Sequence, residues 1–359
     1  MKILGKMLII VVIFSVFTLN IHAESAADNA ISDMENLLPP SLSGIMDSPE
    51  RLIEAVSPAA LFEEIILAVR GEGGRVLSFL LLLLGCAVMC AVSGAMSGTL
   101  KETCQTGVGV LCSLTIFGST RGVFSSTAKA LSEVVGLMSA LAPIFTGLTV
   151  ASGSAATAAA EAAGISLIIS FFGGVGTQIM LSAVGLSLAL ALICTLGDEN
   201  ISAISQSLGG LFKWVVGIAT AAIAAMTSLQ TIVASAADSA AMRAAKFAAS
   251  GMIPVVGGAV SGALSTLAAG VSYAKGVIGV GAVAAMLTAV LSPLVILLLY
   301  RLAFVFATAF SQLLGATAAV KIFTAYRTAL DSLIAVFSLC SVACIFEIIL
   351  FMKGGAELL

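Results

Sequence analysis

From Val76 onward the chain is a series of long apolar runs interrupted by only one to three charges at a time. A soluble fold cannot hide that many consecutive apolar residues, whereas a bilayer demands them, because a helix needs about 20 predominantly apolar residues to cross a hydrocarbon layer about 30 Å thick. The runs place spans near Val76–Val92, Gly107–Gly122, Val134–Ala151, Ile165–Leu196, Leu208–Ala234, Gly251–Ser272, Val277–Tyr300, Leu302–Val320 and Leu333–Met352. The expectation is therefore an all-α, polytopic transmembrane helix bundle of about seven to nine spans. Ile165–Leu196 holds 32 residues without a charge. That is too long for one perpendicular helix at about 1.5 Å per residue, so either one tilted helix or a re-entrant pair broken at Gly173-Gly174-Val175-Gly176 would fit. Lys101, Arg121, Lys129, Lys275, Arg301, Lys321 and Arg327 are expected on loops of both parities, and they assign no orientation.

Composition agrees with lipid as the main solvent. Apolar residues make up 60% and charged ones 10%, and mean hydropathy is +1.16. With 35 glycines and few aromatics, close helix approach through small side chains is expected. A net charge of −3 and no basic run longer than two residues argue against a nucleic-acid partner.

Residues 1–23 carry Lys2 and Lys6, the uncharged run Met7–Ile21, and a small residue at Ala23, which is the pattern of a cleaved signal peptide. Cleavage there would remove His22, the only histidine. Residues 24–75 form a distinct acidic segment, expected outside the cytoplasm and punctuated into short helices by Pro39-Pro40, Pro49 and Pro58. Pro58 suits the first turn of a helix running through Arg70. This segment is either a docking surface or a solvated tether. Residues 76–359 form the multi-pass domain.

No catalytic centre emerges. Gly279-Val280-Gly281-Ala282-Val283-Ala284 imitates a dinucleotide fingerprint but opens inside an apolar helix with no preceding strand. Gly270-Val271-Ser272-Tyr273-Ala274 imitates a nucleophile elbow, but no histidine is left to activate the serine. No phosphate-cradling loop is present, so the chain is expected to be neither an enzyme nor an ATPase, and no cofactor or metal is assigned. Cys86/Cys90 and Cys340/Cys344 sit at i, i+4 spacing and read as small polarizable side chains filling helix interfaces. Lys213, Arg301, Glu347 and Glu161 are the candidate intramembrane charges. The first two lie near the ends of their runs, where snorkelling explains them, while Glu347 sits deeper and calls for a partner or a water-filled path.

The segment from Ser235 to Ser250 is the most unusual. At 100° per residue Ser235, Asp238, Ser239, Arg243, Lys246 and Ser250 share an arc of about 140°, against a background of alanine. Asp238, Ser239, Arg243 and Lys246 are the candidate polar stripe. It marks a helix on the membrane surface, or one that lines an aqueous path or docks a soluble partner. Beyond it, Pro254, Gly257, Gly258 and Gly262 are candidate helix-packing positions, with Pro254 starting or kinking the next helix.

The run from Ser235 through Leu264 resembles the central signature of the stage III sporulation protein AE family, and the late Leu291-Ser-Pro-Leu-Val-Ile-Leu-Leu-Leu-Tyr-Arg301 element agrees with it. That resemblance implies a multi-pass protein of the mother-cell membrane surrounding the forespore. It would be the membrane-embedded component of a channel or secretion complex that supports transfer of small molecules or proteins during endospore formation. The partners it implies are the other stage III sporulation A operon proteins, including ATPase-like and ring-forming members, and stage II sporulation protein Q. A structural scaffold for the rings, or a stand-alone secondary transporter, are the alternatives. The family assigns no catalytic residues.

Overall fold

The structure is a computed structural model that describes residues 58–97, 100–176, 189, 200–252 and 257–353. The expected signal peptide, most of the acidic segment, Pro254 and most of the second half of Ile165–Leu196 lie outside the described residues. The described chain is helical, with no strand among the described residues. It comprises α1 (Pro58–Ala95), α2 (Leu100–Ala151), α3 (Ala155–Ile168, continuing as a π-helical stretch over Ile169–Gly176), α4 (Asn200–Met252), α5 (Gly257–Leu313) and α6 (Thr317–Lys353). Six helical segments among the described residues are long and apolar enough to cross a membrane.

Several elements expected as separate spans are continuous helices. Gly107–Gly122 and Val134–Ala151 are both parts of α2, and Val277–Tyr300 runs on within α5 to Leu313. The loops expected at Lys101, Arg121, Lys129, Lys275, Arg301, Lys321 and Arg327 are helix at every one of these positions. The reason is propensity: Lys and Arg are good helix formers, so an isolated charge interrupts hydropathy without interrupting the hydrogen-bond ladder. Lys129 even supports it, lying 3.7 Å from Glu133 one turn on. α1 is described from Pro58, a residue suited to a first helical turn, and it runs unbroken past Arg70 and through Gly71–Gly74 to Ala95. At about 1.5 Å per residue the 52-residue α2 is about 78 Å long, so it crosses a bilayer at a slant or extends beyond it.

Two tight turns organise the bundle. At Gly153 (φ +82°) and Gly315 (φ +69°) the chain enters the left-handed region that favours glycine. Each turn closes with the paired bonds of a Schellman cap: Ser154 N–H to Thr149 O and Gly153 N–H to Val150 O in one, Ala316 N–H to Ser311 O and Gly315 N–H to Gln312 O in the other. These turns fold α2 against α3, and α5 against α6, as helical hairpins.

α6 is the central helix: 67% of its most apolar window is buried against protein, compared with 22% for that of α4. Lipid tails are as apolar as leucine, so packing density and internal polar contacts hold such a bundle together. Toward the first half of α6, Phe79 of α1 packs on Tyr300 and Phe304 of α5, and Phe304 stacks on Tyr326. The Tyr326 hydroxyl donates to Ser113 O of α2 at 2.8 Å, and Arg301 of α5 pairs with Asp331 of α6. Toward its carboxyl end, Phe351 stacks on Phe145 of α2 with centroids 4.0 Å apart, while Gly279 of α5 lets Met352 pass against its backbone. The cysteine pairs fill interfaces: Cys86 and Cys90 face Cys112 of α2, with the Cys90 and Cys112 sulfurs 3.9 Å apart, and Cys340 and Cys344 are buried in α6.

The two glycine turns predict different substitution costs. A Cβ at Gly315 meets open space, so Gly315→Ala should cost about 1 kcal/mol from the left-handed backbone alone. A Cβ at Gly153 would sit 2.9 Å from Met242 Cε, so Gly153→Ala should cost more than Gly315→Ala in thermal unfolding of the reconstituted protein. Equal costs would show that Met242 is not held against the turn.

Candidate functional site

Among the described residues, the buried charged side chains Glu161, Asp238, Lys275 and Glu347 lie where α2, α3, α4, α5 and α6 meet. α3 starts immediately after the Gly153 turn, and its N-cap position is occupied by Ser154, whose side chain makes no capping bond. The first-turn amides therefore lack a local acceptor. Asp238 of α4 supplies it from across the bundle: Oδ1 accepts from Ala156 N–H at 3.1 Å and Oδ2 from Thr157 N–H at 2.7 Å. The carboxylate is buried and faces the positive end of the α3 dipole, an arrangement that suits an anion without a basic side chain.

Two turns into α3, Glu161 is 1% exposed and lies 3.8 Å from Lys275 Nζ of α5, itself 1% exposed. Glu161 Oε2 accepts from the Thr149 hydroxyl of α2 at 2.7 Å. The Lys275 ammonium lies 4.8 Å from the centre of the Phe351 ring, so one face of that aromatic takes the cation. A buried pair of this kind repays its desolvation only with such added contacts, and losing one partner leaves an uncompensated charge.

Glu347 of α6 completes the group. It too is 1% exposed, and its carboxylate is packed onto Gly164 of α3, where a Cβ would collide with Glu347 Oε1 and with Thr227 Cγ2 of α4. Glycine at position 164 is required for this close approach. The buried side-chain oxygens that make no hydrogen bond among the described residues are Ser154 Oγ, Glu161 Oε1, Gln230 Oε1 and both oxygens of Glu347. All of them belong to the turn before α3, to α3 itself, to α4 or to α6, so unmet hydrogen-bonding capacity is concentrated at this junction.

The structure separates the members of the polar stripe. Asp238 is buried on α3, Ser239 is half-buried, and Arg243 is exposed with its Nε donating to Ser239 O at 3.2 Å. Lys246 lies in α4, while Gly257, Gly258 and Gly262 lie in the first turns of α5. Of the candidate intramembrane charges, Glu347 and Glu161 come together, and Arg301 pairs with Asp331 on α6. Lys275 was missed in the sequence because it reads as a loop charge between two apolar runs. Its flanks Gly270, Ser272 and Gly276 read as a turn, so residue identity gave no signal that it lies in a helix facing an acid. Among the described residues no group of three or more His, Cys, Asp or Glu side chains is arranged to hold a metal ion.

Six membrane-length helical segments among the described residues, five of them meeting at a buried, charged junction, define a polytopic α-helical membrane protein. The family model for stage III sporulation protein AE matches residues 49–355, and the chain belongs to that family, which makes it a membrane protein of sporulation. No curated protein and no solved structure matches it.

Two substitutions test the junction. Lys275→Met should destabilise the fold by about 3–5 kcal/mol by stranding Glu161, and adding Glu161→Gln should recover most of that loss in thermal unfolding of the reconstituted protein. A double variant no better than the single one would mean the pair contributes nothing. Asp238→Ala should cost about 1–3 kcal/mol and speed amide exchange at the start of α3, whereas Asp238→Asn should retain part of the cap.

Proposed function

We propose that this chain is the membrane-embedded component of a sporulation channel or secretion complex that links mother cell and forespore, working alongside the ring-forming and ATPase-like proteins of its operon and stage II sporulation protein Q. Its role is non-enzymatic: it supports passage of small molecules or proteins, and energy for passage against a gradient comes from a partner or an ion. The observation that carries this reading is family membership over residues 49–355. α4 adds support. It turns Asp238 inward to hold α3 and leaves Arg243 at the outer surface, and its most apolar window is only 22% buried within the chain. A helix so placed offers an edge to neighbouring subunits of an assembly.

The second reading, a scaffold that holds the rings in the membrane, draws on Asp238. Its carboxylate is committed to backbone amides rather than to a route for solutes.

Transfer of a labelled small metabolite from mother cell to engulfed forespore separates the two. An in-frame deletion should abolish transfer. Arg243→Ala with Lys246→Ala should also abolish it, with the complex still assembled, if α4 borders the route. Loss of transfer only on deletion would favour the scaffold, and transfer that survives the deletion would overturn the family-based reading.

A further inference from the structure

We propose that the junction of α3, α4 and α6 is a proton-binding site, with Glu347 holding the proton as a neutral carboxylic acid. The inference stands apart from the channel reading and rests on the surroundings of one side chain. Glu347 is 1% exposed, and neither oxygen has a hydrogen-bond partner among the described residues. The Thr227 hydroxyl beside it has a single proton, placed on Ala224 O at 3.1 Å, and turning that proton to the carboxylate would supply one bond at most.

Every element packed around Glu347 points the same way. α3 presents Gly164, which has no side chain, and Glu161, a like charge acting on Glu347. Lys275 of α5 is already joined to Glu161, which also takes the Thr149 hydroxyl of α2. α4 presents Thr227, while Asp238 further along it is taken up by the first turn of α3. On α6 itself the neighbouring titratable group is the buried Cys344 thiol. An ionised Glu347 would be a second buried anion beside the first, with the Lys275 ammonium already paired to Glu161. Among the described residues, one further charge of +1 would complete the count.

A proton fits and a metal cation does not. A proton needs a single oxygen, whereas a metal cation needs several oxygen ligands, and among the described residues no group of three or more His, Cys, Asp or Glu side chains is arranged to hold one. Protonation also turns an acceptor-only group into a donor, while Glu161 Oε1 lacks a hydrogen bond. Release of the proton would place two like charges across the contact of α3 with α6, which gives the site a means of moving these helices apart.

The test uses the full chain reconstituted in lipid vesicles and infrared difference spectroscopy between wild type and Glu347→Gln at neutral pH. The expected result is loss of one carboxylic-acid carbonyl band per chain, unaffected by exchanging sodium for potassium, with thermal stability unchanged because Gln matches the neutral acid in shape and charge. Loss of carboxylate bands instead would overturn the proposal, and a sodium-dependent difference would assign the site to a cation. Failure of Glu347→Gln to fold while Glu347→Asp folds would overturn it as well, since it would show that the charge itself is required.

Discussion

Inside a bilayer there is no water to receive a stray hydrogen bond or to screen a charge, so each polar group carried into the bundle must find its complement in the protein. The Glu161–Lys275 pair is where this constraint is most exacting. Its two side chains come from α3 and α5, its extra hydrogen bond from α2, and its aromatic cover from α6. Four helices are thereby fixed at one level by one ion pair. The close approaches at Gly164 and Gly279 bring the neighbouring backbones near enough for those contacts to form.

The capping of α3 follows the same logic at a different scale. A helix that begins after a one-glycine turn has little chain available in which to place its own cap, and Ser154 does not provide one. An aspartate from another helix takes over, and the pairing is specific because a bidentate carboxylate meets two adjacent amides in only one geometry. At the other end of the bundle the Tyr326 hydroxyl and the Arg301–Asp331 pair do similar work between α6 and its neighbours. Apolar packing fills the space between these polar fixtures and sets how near the helices lie, while the polar contacts set which helix meets which.

The class of fold was legible because hydropathy reports the solvent directly. Span boundaries were less legible: Arg121, Lys129 and Arg301 lower local hydropathy just as a loop would, yet they extend the helix, and only backbone geometry distinguishes the two. Glu347 stood out because a carboxylate between Phe346 and Ile348 has no local excuse. Asp238 was visible as part of a stripe, but its partner, the amide pair at Ala156 and Thr157, is backbone and leaves no trace in residue identity. Lys275 was hidden for a related reason, since a lysine between apolar runs resembles a snorkelling boundary residue until its acid is located in three dimensions.

The cap on α3 also constrains how the protein is made. The acceptor for the amides of Ala156 and Thr157 lies about 80 residues downstream, so it emerges from the ribosome only after α3 has been synthesised. During that interval the start of α3 has no protein acceptor for those donors and is stable only where water or a lipid headgroup supplies one. Docking of α4 then transfers the amides from that temporary partner to Asp238. The order of synthesis thus separates α3 from the residue that caps it.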